Sequence, residues 1–219
     1  MIIFDCDGVL VDSEILSCGT DARMMTEAGF PITQEDLFEN YIGWPKPKIF
    51  DAVAERRGAP WPDDLLARAE AVLHDRIPNE LLPVDGVADV LAALEMPFAV
   101  ASSSSVHKLR LSLDTCDLTQ FFDGHIYSAE QVARGKPAPD VFLLAASQIG
   151  SDPADTVVVE DSPAGITAAR RAGMRAIGFA GGSHCLPSHA DRLRTAGAVS
   201  VVHHMRDLPA AFAELGVGG

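Results

Sequence analysis

Two short runs with no polar residue constrain the fold most. Ile2-Ile3-Phe4 and Val157-Val158-Val159 each stop at acids, Asp5-Cys6-Asp7 and Glu160-Asp161. A run without alternation has no solvent face, so it suits a strand covered on both sides, as in a parallel sheet. From residue 84 onward, strand-like and helix-like segments alternate. Val87, Val90, Leu91 and Leu94 recur at helical spacing, Pro97 interrupts them, and Phe98-Ala99-Val100-Ala101 reads as the next strand. Residues 102–113 read as a helix with Val106, Leu109 and Leu113 on one side, and residues 139–149 as another, closed by Gly150. Ala176-Ile177-Gly178-Phe179 and Val199-Ser200-Val201-Val202 are weaker strand candidates. This alternation predicts an α/β fold with a Rossmann-like parallel sheet flanked by helices.

The stretch between residues 13 and 82 differs: residues 16–28, 47–57 and 62–77 read as helices, and no strand is convincing. Leu65, Ala69, Val72 and Arg76 share one helical face, which Leu66 and Leu73 broaden. This all-α block interrupts the α/β pattern and reads as an insertion after the first strand. The division is then a core of residues 1–13 and 82–219 and an inserted domain of residues 14–81.

With 219 residues, 47% of them hydrophobic, the chain can hold itself up without metal or disulfide staples. Its net charge of −14 argues against nucleic acid, whose phosphates need a Lys/Arg stripe. It leaves room for a small anionic ligand, because a local cation can invert the field in one cleft. Cys6, Cys18, Cys116 and Cys185 are scattered and read as reduced thiols, the expectation for a cytoplasmic protein. No apolar run approaches the ~20 residues of a membrane span, and the chain opens into a strand rather than a signal peptide. A monomer is compatible with the sequence, which sets no oligomeric state.

Asp5 and Asp7 stand two residues apart at the carboxyl end of the first strand, where open α/β sheets bind ligands. One carboxylate can serve as a nucleophile and the other as a general acid/base, and Gly8 lets the backbone approach a ligand or ion. Taken alone, an acid-glycine turn at a strand end is unremarkable. Ser102 follows a strand and is placed to cap a helix whose free N–H groups would bind phosphate. Lys136, in Gly135-Lys136-Pro137-Ala138-Pro139-Asp140, is presented from a constrained loop. In Glu160-Asp161-Ser162-Pro163-Ala164-Gly165, Ser162 can cap a helix that starts at Pro163, while the acids suit a hard cation such as Mg²⁺. His184, His189, His203 and His204 lack metal-ligand spacing and read as surface histidines. Met24 and Met25 read as packing, and Cys6 as a small buried hydrophobe.

Together, Asp5-Cys6-Asp7-Gly8-Val9-Leu10-Val11-Asp12-Ser13, Ser102, Lys136 and Glu160-Asp161-Ser162 resemble the four ordered motifs of the haloacid dehalogenase superfamily. The inserted block resembles the family's C1-type cap, and the texture is similar to the β-phosphoglucomutase and 6-phosphogluconate phosphatase group. The resemblance implies a magnesium-dependent phosphatase acting on a small phosphorylated metabolite, a sugar phosphate or phosphorylated sugar acid. It implies that Asp5 attacks phosphorus and that Asp7 protonates the leaving oxygen, then activates water. Ser102 and the Ser103 backbone would hold the phosphate, and Lys136 would neutralise it. Asp5, the Asp7 main-chain oxygen and Asp161 would bind Mg²⁺, with Glu160 close by. Asp7 argues against dehalogenation, which lacks the second acid. A sugar phosphomutase is the rival, but its hinge histidine is replaced by Ser17, and its cap-loop arginine by Lys46. Gly43-Trp44-Pro45-Lys46 is the expected recognition loop, with Trp44 on an apolar face of the substrate and Lys46 pairing with a carboxylate or phosphate.

Overall fold

The computed structural model describes residues 1–217. Six parallel strands form one sheet: β1 (Ile2–Phe4), β2 (Phe98–Ser102), β3 (Ile126–Ser128), β4 (Val157–Glu160), β5 (Arg175–Phe179) and β6 (Ser200–Val202). Their spatial order is β3-β2-β1-β4-β5-β6. β1 therefore lies in the middle, with Phe4 in register with Val100 on one side and Val159 on the other. The sheet is the expected Rossmann-like one.

The absence of polar residues in β1 and β4 follows from burial on both faces. Ile2, Phe4, Val157 and Val159 point into one apolar layer, completed by α5 (Val87–Ala93), α6 (Val106–Thr115) and α10 (Leu208–Glu214). Ile3 and Val158 point the other way, onto α7 (Asp140–Ile149), α8 (Pro163–Arg171) and α9 (His189–Ala196). The chain leaves β1 toward β2 and β3 and returns to β4 on β1's other side. That reversal opens a crevice beyond the carboxyl ends of β1 and β4, where ligands bind in open α/β sheets.

The segment between β1 and β2 is helical: α1 (Ser13–Glu27), α2 (Gln34–Asn40), α3 (Lys46–Arg57) and α4 (Leu65–Glu80). It has its own apolar cluster, to which Met25, Leu37, Phe50, Leu65 and Ala69 contribute. The two strands of chain that enter and leave it are tied together: Asp12 N–H donates to Leu82 C=O at 2.9 Å, and Val84 N–H to Leu10 C=O at 3.0 Å.

Several sequence expectations need correction. Ser102 ends β2 rather than opening a helix; Ser105 caps α6, its hydroxyl accepting from Lys108 N–H at 3.2 Å. The last helix of the insertion, α4, starts at Leu65 rather than residue 62. Leu65, Ala69, Leu73 and Ile77 form its buried stripe, whereas Val72 is only half-buried. Four elements escaped the sequence reading: α2, β3, α9 and α10. β3 is three residues long, and α2 is short but carries a capping box between Thr33 and Asp36 that the T-x-x-D spacing announces. Met24, Met25 and Cys6 are buried as expected. Among the described residues, no helix is long and apolar enough to cross a membrane.

Gly165, in the first turn of α8, is where Glu160 packs closest: a Cβ there would fall 1.6 Å from Glu160 Oε1. Gly165→Ala is expected to destabilise the fold by about 1–3 kcal/mol, the range for overpacking a filled site. Urea unfolding of the variant against the native chain measures it, and an unchanged midpoint would mean that Glu160 has room to move.

Candidate active site

The carboxyl ends of three adjacent strands deliver the site. Asp5 follows β1, its N–H bonded to Val159 C=O at 2.9 Å; Ser102 ends β2, and Glu160 ends β4 with Asp161 next. Gly8 makes the approach possible. Its φ is +75°, and a Cβ would lie 2.1 Å from Asp161 Oδ2, so no side chain fits between the two loops.

Lys136, from the loop before α7, fills the space beneath these carboxylates. Its ammonium donates to Asp5 Oδ1 at 2.7 Å, Glu160 Oε1 at 2.8 Å and Ala101 C=O at 3.0 Å. These bonds use all three of its protons. The Phe142 ring centroid lies 4.7 Å from the nitrogen. Only 6% of the residue is exposed, and although burial alone would discharge it, Asp5 and Glu160 hold it firmly charged. Glu160 is fully committed, because its other oxygen accepts from Ser162 N–H at 2.6 Å and Ser162 Oγ at 2.9 Å. Ser162 in turn caps α8, accepting from Gly165 N–H at 3.0 Å.

Asp5 is pushed well above the ordinary carboxylate range, first by burial and then by Glu160 and Asp161, against the pull of Lys136. Lys136 on Asp5 and Glu160, and His184 on Asp161, give two cations to three buried carboxylates. Asp5, Glu160 and Asp161 bring carboxylate oxygens within 4.8 Å of one another, all buried. A converging all-oxygen set short of positive charge is a donor set that fits a hard divalent cation such as Mg²⁺.

Asp7, on the same cavity floor, sits in its own ring of donors. Its oxygens accept from Lys108 Nζ at 2.6 Å, Ser104 Oγ at 2.6 Å and Ser13 Oγ at 2.5 Å, with Ser102 Oγ farther off at 3.4 Å. Burial opposes its ionisation, but the Lys108 charge and these hydrogen bonds prevail and hold it near 2. Asp7 is therefore a carboxylate at neutral pH. Lys108 and Ser104 were missed from sequence. Lys108 lies in the first turn of a helix whose start was misplaced by four residues, which hid that it faces the strand ends.

The histidines need a second correction. His184 and His189 are buried rather than superficial, each 2% exposed. His184 Nε2 lies 3.1 Å from Asp161 Oδ2, and His189 Nε2 lies 2.6 Å from the Asp161 main-chain oxygen. Burial would discharge His184, but its bond to Asp161 raises it to about 11; burial pushes His189 down to about 4. Asp161, itself raised to about 7 mainly by burial, is thus gripped by two rings that no sequence spacing announced. His203 and His204 are exposed, as expected.

A cavity of about 370 Å³ opens between the strand ends and α1–α4. Asp5, Asp7, Ser102, Ser103, Glu160 and Asp161 line its floor. Ser17, Trp44 and Lys46 line the opposite side, so the expected recognition loop does face the acids. Trp44 is half exposed, its ring edge-on to Tyr41 with centroids 5.5 Å apart. Lys46 is not free: its ammonium is 2.8 Å from Asp21 Oδ1, and Asp21 is buried.

Residues 2–179 match the model of the family described as haloacid dehalogenase-like hydrolase. The chain belongs to this family. It is 30% identical over 190 residues to a 6-phosphogluconate phosphatase of Escherichia coli (strain K12), covering 85% of each chain. It is 32% identical over 212 residues to a phosphorylated carbohydrates phosphatase of Thermotoga maritima, covering 92% of this chain and 93% of that one. Among solved structures, a conserved haloacid dehalogenase-like protein from Agrobacterium tumefaciens superposes with a TM-score of 0.91 at 46% identity, over 98% of each chain. A family hydrolase from Deinococcus radiodurans, crystallised with bound phosphate and sodium, gives 0.82 at 32% identity, over 99% of this chain and 96% of that one. Within the family, the chain is a phosphoric monoester hydrolase.

Removing Lys136 strands buried carboxylates. Lys136→Met is expected to cost about 3–5 kcal/mol of stability near pH 7.5, as breaking a buried pair does. An acid whose folded pKa is raised destabilises the fold as pH rises through that value, so protonating Asp5 should recover part of the loss at lower pH. Urea unfolding of the variant at about pH 7.5 and about pH 5.5 tests this, and a penalty independent of pH would contradict it.

Proposed function

We propose that the protein is a magnesium-dependent phosphatase that hydrolyses a small phosphorylated carbohydrate through a phosphorylated Asp5. The observation that carries this reading is the placement of Asp5. Its carboxylate ends the central strand, faces a cavity, and shares one buried cluster with Lys136, Glu160 and Asp161. The phosphatases among its relatives support the carbohydrate class of substrate.

Asp5 would use one oxygen to attack phosphorus while the ester P–O bond breaks and the leaving oxygen takes a proton from Asp7. Water would then attack phosphorus, giving its proton back to Asp7 and releasing Asp5 and inorganic phosphate. The carboxylate form of Asp7 suits the second step. The first needs a proton on it, so Lys108 and Ser104 must loosen when the ester arrives. Ser102, the Ser103 backbone and Lys136 would hold the transferring phosphoryl group. Charge neutralisation and alignment dominate such transfers. Asp5, Asp161 and the Asp7 main-chain oxygen would hold Mg²⁺, with Glu160 reserved for Lys136 and Ser162. The ion supplies the positive charge that the acidic cluster lacks and that the phosphoryl oxygens need.

The division into a catalytic core of residues 1–13 and 82–219 and a cap of residues 14–81 follows the same reading, with the cap shedding water when it closes. The cap would choose the substrate, with Trp44 resting against its apolar face. Hydrolysis is favoured over a mutase reaction, in which a second phosphate must be gripped. Ser17 stands in place of the hinge histidine, and Lys46 is bound to Asp21.

Phosphate release from a panel of sugar and polyol phosphates, with Mg²⁺ or with EDTA, tests the proposal. Release is expected only with the metal, and Asp5→Asn should lower it by at least about 10³-fold while the fold is kept, as for loss of a nucleophile. Conversion of a hexose 1-phosphate to its 6-phosphate without phosphate release would establish the mutase instead.

A further inference from the structure

The cavity's charge carries an inference about the half of the substrate that does not react; it rests on the phosphatase reading above. Two lysines line the cavity, and both are already paired: Lys108 with Asp7 at 2.6 Å and Lys46 with Asp21 at 2.8 Å. Asp21 grips Lys46 from a buried position on α1, its side chain only 4% exposed, so the pair is part of the cap's packing rather than a loose surface contact. The same side of the cavity also receives Glu14 from α1 and Glu70 from α4. His74, which lines it as well, is pushed toward its neutral form by burial and then by His107. The side facing the catalytic acids is therefore anionic overall.

We propose that this wall selects by charge: the leaving group is an uncharged polyol or sugar, and esters with a second anion at the far end are rejected. A second phosphate or a carboxylate placed there meets Glu14 and Glu70, and it must break the Lys46–Asp21 pair to find a cation. Like charges brought together in a partly buried cleft repel strongly. Hydroxyl groups fit the same wall well, because each can donate to a carboxylate in a charge-assisted hydrogen bond. Trp44, half exposed at the cavity, offers the carbon face of such a molecule an apolar surface. This reverses the expectation that Lys46 receives an anionic group, and it sets phosphorylated sugar acids apart from sugar phosphates. Among the described residues, Lys46 and Lys108 are the lysines that line the cavity.

The test compares kcat/KM for esters matched in size but not in charge: glucitol 6-phosphate and glucose 6-phosphate against 6-phosphogluconate and glucose 1,6-bisphosphate. The native protein is expected to favour the first two by at least about tenfold, mainly through KM, since the difference is one of binding. Asp21→Asn releases Lys46 and should shrink that preference about tenfold, an effect of the size of one partly screened charge pair in a cleft. Glu14→Gln, at a half-buried position, should shift it the same way and stands in if the Asp21 variant fails to fold. Equal or better turnover of the anionic esters by the native protein overturns charge selection while leaving the phosphatase reading intact. A Lys46→Met variant that loses only the anionic esters would also overturn it. No phosphate release from any ester, p-nitrophenyl phosphate included, overturns both.

Discussion

The ammonium of Lys136 is the contact on which the site depends. It ties β1 to β4 through Asp5 and Glu160, and reaches β2 through the Ala101 carbonyl. A charge this deep survives only with every proton bonded, and each partner supplies something else. Asp5 faces the cavity, and Glu160 continues to Ser162, which starts α8. One cation thus fixes the carboxyl ends of three strands and the first turn of a helix. Its arrangement is over-determined, which keeps a buried acid cluster from pushing itself apart.

Two carboxylates two residues apart are placed in opposite electrostatic surroundings. Asp5 is crowded by Glu160 and Asp161 and is short of positive charge; Asp7 has a lysine and hydroxyl groups of its own and is firmly ionised. Strand alternation alone would turn both acids the same way; β1 ends at Phe4, and the turn that follows, with Gly8 at a φ of +75°, gives Asp7 neighbours of its own. Cys6 itself is buried in the apolar layer beneath. The split leaves Asp5 in a cluster of buried carboxylates and Asp7 paired with Lys108, although both line one cavity.

The cap is joined to the core by apolar packing and by specific polar contacts. Part of it has its own apolar cluster, while Leu16 of α1 and Leu73 and Ile77 of α4 pack into the apolar layer against the sheet. Ser183 donates through both its N–H and its hydroxyl to Asp12, bracing the point where the chain leaves for α1. Gly43 lies so close to Ser162 that a Cβ would come within 2.6 Å of the serine's Cβ, so the loop that carries Trp44 and Lys46 packs against the turn after β4.

The sequence by itself determined the parallel-sheet class, the helical insertion and the principal acids. Unbroken apolar runs have no other stable placement than between two helical layers, and their ends are marked by acids and glycine. Lys136 and Ser102 were legible only as members of an ordered set. Three things waited for the tertiary structure. The start of α6 was one, since Ser102, Ser103, Ser104 and Ser105 all cap equally well on paper, and only the extent of β2 decides among them. The partners of Lys46 and Lys108 were another, lying 25 and 101 residues away at Asp21 and Asp7. The burial of His184 and His189 was the third: histidine carries no periodic signal, and what makes these two structural is the loop that folds back onto Asp161. Pattern fixes which residues share an element, while pairing of charges across elements depends on distances that only packing sets.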